Sequence, residues 1–158
     1  MIRRRVAAGL LLVSLAALLA GVRPSAAESE DPMLKNSTDP RKIAVQIQTS
    51  LPLAERGYSV LTSTNEAEPT QAGVELLLKS YRLLRTAYQS NALILSISRF
   101  PDPLLQVQNQ HIMFVRNRLL DCTGNRDYIR WEGAARTKCL DGLALGLRRL
   151  RIVVATIP

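Results

Sequence analysis

The chain has 158 residues, a formal net charge of +8 and two cysteines. No second long uncharged run follows residue 27, which excludes a protein that crosses a membrane several times. Leucine-rich periodic stretches exclude disorder along the remaining chain. The sequence lacks the phosphate-binding Gly-rich loop, the dinucleotide fingerprint, the nucleophile elbow and the helical zinc motif. It therefore predicts no cofactor and favours a non-enzymatic protein.

The first 27 residues have the order of features of a secretory signal peptide. Residues 3–5 are all arginine, residues 6–22 carry no charge, and Ser25 and Ala27 are small residues at the −3 and −1 positions of a cleavage site. We therefore expect cleavage after Ala27 and export to the periplasm or the cell exterior. The mature protein is then not an integral membrane protein, and its net charge falls to +4 because four arginines leave with the signal. Retention of the segment as an anchor is the alternative.

The next segment combines a polar arm with a helix start. Residues 28–38 are polar, and we expect a loose N-terminal arm before one domain that spans 39–158. Asp39 and Pro40 suit an N-cap and the first position of a helix. Apolar residues then recur every four positions, which favours a helix, although a partial alternation leaves a strand as an alternative. Pro52 predicts a kink or the end of this helix.

Further helices follow from the remaining periodic stretches. Between Pro69 and Pro101 an apolar stripe repeats every three or four residues, which predicts a long central helix. Asp102 suits the cap of a third helix after a sharp corner, and a last helical segment is expected from about Thr137 to Thr156. Three or four helices joined by short turns predict an all-α fold, an up-and-down helical bundle.

The two cysteines, Cys122 and Cys139, predict one intrachain disulfide, because an even count is typical of a disulfide in an exported chain. Two free buried thiols are the alternative. A disulfide requires Cα atoms within about 7 Å. Residues 123–136 therefore cannot form one straight helix that continues to the end of the chain.

Two glycines in the last helix suggest a close contact. Gly142 and Gly146 are four residues apart, so they lie on one face of the expected helix. The absence of a side chain lets another backbone approach. We expect tight packing against a neighbouring helix of the same chain rather than a dimer seam.

One stretch has the spacing of a calcium-binding loop. Oxygen-bearing residues fall at positions 1, 3, 5, 7 and 12 of an EF-hand-like pattern. Arg126 stands where the sharp turn requires glycine, so the interpretation is a helix–helix connection and we expect no metal. The candidate ligands are Asp121, Thr123, Asn125, Asp127 and Glu132.

Charge is distributed unevenly along the chain. Residues 28–75 contain eight acidic and four basic residues, whereas residues 76–158 contain five acidic and 13 basic residues. Solvated helix faces would account for this pattern, and so would a basic surface that docks an acidic partner. Export argues against nucleic acid as that partner. The candidate partner-binding residues are Arg126, Arg130, Trp131, Arg148, Arg149 and Arg151.

These observations predict an exported small helical-bundle binding or accessory protein of the cell envelope. Its basic C-terminal half would dock another envelope or secreted protein, or an anionic surface. One alternative is an envelope enzyme, a hydrolase or lyase that uses carboxylates and His111, the only histidine. Another is a calcium-stabilised structural module.

Overall fold

Four helices account for most of the chain in a computed structural model that describes residues 31–63, 71–123 and 133–157. Each helix packs against the next and the last packs back against the first, which confirms the expected all-α up-and-down bundle.

Within the described ranges no helix is both long and apolar enough to cross a bilayer. The predicted signal peptide lies outside the described residues. A 3-10 turn at Pro32–Leu34 precedes helices α1 (Pro40–Ser63), α2 (Gln71–Ile97), α3 (Pro103–Thr123) and α4 (Gly133–Ala155).

Two of the helices begin where the sequence predicted. An Asp39 Oδ1 accepts a hydrogen bond from the Arg41 amide at 3.0 Å, and an Asp102 Oδ1 accepts one from the Leu104 amide at 2.8 Å. A proline follows each aspartate at the first helical position, where no amide hydrogen is needed. The N-caps of α1 and α3 are thus confirmed.

Helix α1 continues through Pro52 to Ser63, so the end that was considered at Pro52 is wrong. Proline removes the hydrogen bond to the carbonyl of Gln48, four residues earlier. Both residues are exposed, so water can solvate that carbonyl. Buried Ile47 and Ala54 lie on either side of the proline, and their packing holds both halves of the helix against the bundle.

The α1–α2 contact is close because two glycines face it. A Cβ added to Gly57 would lie 2.8 Å from Leu77 Cδ2 and 3.0 Å from the carbonyl oxygen of Gly73. A Cβ added to Gly73 would in turn lie 3.0 Å from Leu61 Cδ2. Farther along the same contact, the Ser80 hydroxyl donates to a carbonyl of α1 at 2.9 Å. Gly57 therefore permits close packing of α1 against α2.

The glycines of α4 pack less closely. A Cβ added to Gly142 would lie 3.2 Å from Arg118 Cδ of α3, and one added to Gly146 would lie 3.5 Å from Arg118 Cβ. Both glycines face α3 of the same chain, as expected, but the nearest atoms belong to side chains, so they do not bring another backbone close as the sequence had suggested.

One apolar core joins all four helices. In α3 the residues Ile112, Val115 and Leu119 are buried, whereas Leu105 is only half-buried. In α4 the buried stripe ends at Val153, and Val154 is half-buried. The core residues are Ile43, Ile47, Ala54, Leu61, Leu77, Leu84, Ala87, Ile112, Val115, Leu119, Cys122, Cys139, Leu143, Leu147, Leu150 and Val153.

The described part of the expected loose arm is attached to the bundle. The Gln46 side chain of α1 donates from Nε2 to the Met33 carbonyl at 2.8 Å and to the Lys35 carbonyl at 3.1 Å. The Ser37 amide donates to Ser90 Oγ of α2 at 3.0 Å. The buried side chains of Gln46 and Ser90 thus hold residues 33–37 against the bundle, although the polar composition of this segment had predicted a loose arm.

A disulfide joins Cys122, near the end of α3, to Cys139 of α4, and the two Cα atoms are 5.4 Å apart. This confirms the predicted pairing and the interruption of the helix between the two cysteines. Helix α4 begins at Gly133, earlier than the expected start near Thr137. Gly133 has a φ of 54°, a left-handed conformation that favours glycine.

Replacing both cysteines with alanine should lower the free energy of unfolding by about 3 kcal/mol. The bond closes a loop of 17 sequence steps, and its loss increases the conformational entropy of the unfolded chain. Urea denaturation of the double variant and the oxidised parent measures the difference. Equal denaturation midpoints would show that the bond contributes no stability.

Gly57→Ala should lower the free energy of unfolding by about 1–3 kcal/mol, because the added methyl group meets a backbone carbonyl. Gly146→Ala is the matched control, since its added Cβ has only ordinary van der Waals contacts. Better helix propensity should stabilise that control by up to about 1 kcal/mol. Thermal or urea denaturation of both variants tests the prediction, and equal effects of the same sign would contradict it.

Candidate functional site

Half of the predicted partner-binding residues lie in the last two turns of α4. Arg148 and Arg151 are three residues apart and share one face of the helix, whereas Arg149 points to a different side. The remaining predicted residues, Arg126, Arg130 and Trp131, lie outside the described residues. The candidate site is therefore built from α4 and the helices on its two sides.

A cleft of about 160 Å³ lies between α1 and α4, and we name it the α1–α4 cleft. Helix α1 contributes a carboxylate and an aromatic ring, and α4 contributes two guanidinium groups and two apolar side chains. The lining residues are Glu55, Tyr58, Ala144, Leu147, Arg148 and Arg151. The cleft thus combines an apolar surface with an excess of positive charge.

An ion pair orients one of the two arginines in the cleft. Arg151 Nε donates to Glu55 Oε1 at 2.8 Å, and the two side chains are 58% and 39% exposed. An exposed pair of this kind contributes at most about 1 kcal/mol to stability. Its main effect is positional. The bond uses Nε, and the terminal guanidinium nitrogens of Arg151 make no other hydrogen bond with the described part of the chain.

The other arginine of the cleft carries an unpaired charge. Arg148 is exposed, and it forms no ion pair with a described residue. It lines the same cleft as Arg151, one helical turn earlier. Arg148 is therefore the group in the α1–α4 cleft that is most available to an external anion.

Arg149 packs on the other side of α4, against α3. Its guanidinium carbon lies 3.9 Å from the centre of the Phe114 ring, and that of Arg118 lies 5.0 Å from the same ring. Arg118 also donates to Asp121 Oδ2 at 3.1 Å. Arg149 thus covers an aromatic side chain, which gives it a role in packing as well as a charge.

The calcium pattern is only partly within the described residues. Asp121 accepts a hydrogen bond from Arg118, and the Thr123 hydroxyl donates to the Leu119 carbonyl at 2.8 Å. Both belong to α3. The other candidate ligands, Asn125, Asp127 and Glu132, lie outside the described residues, so the expectation that no metal binds there stays a prediction.

His111 is half-buried on α3 and does not line the α1–α4 cleft. Its Nδ1 is buried and has no hydrogen-bond partner among the described residues. In those residues no three or more His, Cys, Asp or Glu side chains lie together as a metal site would need.

Sequence reasoning identified the arginines of this site but missed the residues that they contact. Glu55 and Tyr58 reach the cleft from α1, and Phe114 reaches Arg149 from α3. The spacing of Phe114 and Arg118 by four residues was a local signal for their contact. The Glu55–Arg151 pair is 96 residues apart in sequence, and no local pattern indicates it.

Comparison of the chain with protein families, with curated proteins and with solved structures finds no match.

The contact between Arg149 and Phe114 should be measurable by a double-mutant cycle. Arg149→Gln and Phe114→Leu should show a coupling energy of about 0.5–1 kcal/mol, as expected for an exposed cation–π contact. Arg148→Gln combined with Phe114→Leu is the control and should show no coupling. Urea denaturation supplies the free energies. An equal coupling in both cycles would mean that Arg149 makes no specific contact with the ring.

Proposed function

We propose that this protein is an exported binding protein of the cell envelope that docks an acidic segment of a partner protein at the α1–α4 cleft. The observation that most directly supports this proposal is the pair of arginines in the cleft. Arg148 has no ion pair in the described ranges, and Arg151 is oriented by Glu55.

Export is supported by two independent features. The N-terminal sequence has the charged, apolar and small-residue parts of a signal peptide. The disulfide between Cys122 and Cys139 is of the kind that persists in oxidising compartments such as the periplasm.

The chemistry of the cleft suits a carboxylate on an otherwise apolar segment. Guanidinium groups bind carboxylates through paired hydrogen bonds, and their planar shape makes the contact directional. Ala144 and Leu147 offer apolar surface beside those groups. An acidic side chain of the partner would bind Arg148 and the terminal nitrogens of Arg151, while a neighbouring apolar side chain would pack on the helix.

The composition of the cleft favours binding over carboxylate-based hydrolysis. Hydrolysis by paired carboxylates requires two such groups facing one substrate. The α1–α4 cleft is lined by one carboxylate, that of Glu55, and Arg151 already binds it. Glu55 instead reduces the positive charge of the cleft and limits how tightly an anion is held.

Two charge changes in the cleft should alter partner binding in opposite directions. At low salt, Arg148→Gln should weaken binding about two- to fivefold, as expected for an exposed charge. Glu55→Gln should strengthen binding by a similar factor, because it removes a negative charge and keeps an oxygen that can accept from Arg151. The measurement is the amount of partner captured from the cell's own envelope extract by immobilised mature protein.

Arg85→Gln is the matched control, because it removes one exposed positive charge from α2, outside the cleft. Binding by the parent should fall as salt rises from low to physiological concentration, where the Debye length is about 8 Å. Equal losses for Arg148→Gln and Arg85→Gln would refute docking at this cleft.

A further inference from the structure

The corner between α2 and α3 exposes large apolar side chains. Phe100 is 86% exposed and Ile97 is 68% exposed, the two highest values among the exposed large apolar residues of the described chain. Leu104, at the start of α3, is 54% exposed. We name residues 97–104 the corner segment. A group of neighbouring exposed apolar side chains typically marks a surface that contacts a membrane or another molecule.

The backbone of the corner segment holds these side chains outward. Helix α2 ends at Ile97, Asp102 caps α3, and prolines at 101 and 103 restrict the backbone between them. Leu93 and Ile97 are four residues apart, so the exposed apolar face extends one turn back along α2. The chain thus presents an apolar tip rather than a groove into which another helix would fit.

Positive charge accompanies this tip. The Arg99 guanidinium carbon lies 5.8 Å from the centre of the Phe100 ring. Arg41 and Lys42 are exposed in the first turn of α1. That turn is near the same end of the bundle, because Ser37, just before α1, is bonded to Ser90 in the second half of α2.

The nearby aspartates are engaged with helix ends. Asp39 and Asp102 accept hydrogen bonds from the first amides of α1 and α3, and these amides carry the positive ends of the helix dipoles. The carboxylates are therefore partly neutralised by those amides. Arg99 beside the tip, and Arg41 and Lys42 near the same end of the bundle, are left to face an external anionic surface.

We propose that the corner segment inserts into the interfacial region of an anionic lipid bilayer. The surface of such a bilayer has an apolar layer of acyl chains beneath a layer of phosphate groups. The Phe100 ring would enter the outer part of the acyl layer, and the neighbouring cations would bind the lipid phosphates. The proposal does not depend on the α1–α4 cleft.

The test uses the chain from Glu28, which contains the whole unit Pro32–Pro158 and lacks the apolar N-terminal run. Co-sedimentation with vesicles of equal parts phosphatidylglycerol and phosphatidylcholine is compared with that of vesicles of phosphatidylcholine alone. We expect binding to the anionic vesicles and at least about tenfold weaker binding to the neutral ones.

Phe100→Ser should lower the partition coefficient on anionic vesicles at least about tenfold, because burial of a phenylalanine side chain is lost. Leu145→Ser is the matched control: Leu145 is an exposed apolar residue of α4, 44% exposed and outside the corner segment, and its replacement should leave binding unchanged. Both variants should keep the melting temperature of the parent, since both side chains are exposed.

A fluorescence measurement tests insertion directly. With Trp131→Phe removing the only native tryptophan, Phe100→Trp should show a blue shift of its emission on anionic vesicles. An unshifted spectrum, equal binding by Phe100→Ser and Leu145→Ser, or no vesicle binding by the parent would overturn the proposal. So would a parent dimer that Phe100→Ser converts to a monomer without any vesicle binding, because the tip would then contact a second copy of the chain.

Discussion

The disulfide between Cys122 and Cys139 sets the register of α4, and the candidate site depends on that register. Phe114 lies eight residues before Cys122, and Arg149 lies ten residues after Cys139. At 1.5 Å per residue these are about 12 Å back along α3 and about 15 Å forward along α4. Because the two helices are antiparallel, both paths lead from the bond toward the same end of the bundle. The guanidinium group therefore arrives beside the ring, where the structure places it at 3.9 Å. The same register turns Arg148 and Arg151 toward α1.

Glu55 of the acidic half of the sequence forms an ion pair with Arg151 of the basic half. One acid of the N-terminal half orients one arginine of the C-terminal half, and Arg148 is left beside them. A cleft with one neutralised and one free guanidinium group binds an anion less tightly than two free groups would. Such a cleft suits reversible docking, because rim charges mainly steer association.

Local signals predicted the parts of the fold that depend on local chemistry. Asp39 and Asp102 cap their helices because a cap needs only its own next few amides, and the long apolar stripe of α2 depends on helical period alone. Pro52 was misjudged because its effect depends on tertiary packing around it and on solvent beside the lost hydrogen bond. The Gly57–Gly73 contact was also missed, since it requires knowing which faces of α1 and α2 meet.

The candidate site, like the fold, was predicted from the sequence only where local signals were enough. Its arginines were visible as a basic cluster, whereas the carboxylate and the rings beside them come from distant segments. The corner before α3 was predicted, but the exposure of Phe100 was not, because a Phe-Pro-Asp-Pro sequence predicts a turn without predicting whether its phenylalanine is covered. Only the packed structure distinguishes a buried turn residue from Phe100.

The two proposed contacts rely on different forces, so they are separable in one preparation. Docking at the α1–α4 cleft is a contact between exposed charges, which salt screens over a Debye length. Insertion of the corner segment combines attraction by Arg99 and its neighbours with burial of the Phe100 ring. Salt weakens the electrostatic attraction to the bilayer. It does not remove the free energy gained by burying the Phe100 ring, because that free energy arises from removing the ring from water.

The corner segment and the α1–α4 cleft share no residue, so removing the Phe100 ring need not alter the cleft, and replacing Arg148 need not alter the corner segment. A protein bound to a bilayer through its corner would therefore retain a cleft whose affinity is set by Arg148, Arg151 and Glu55.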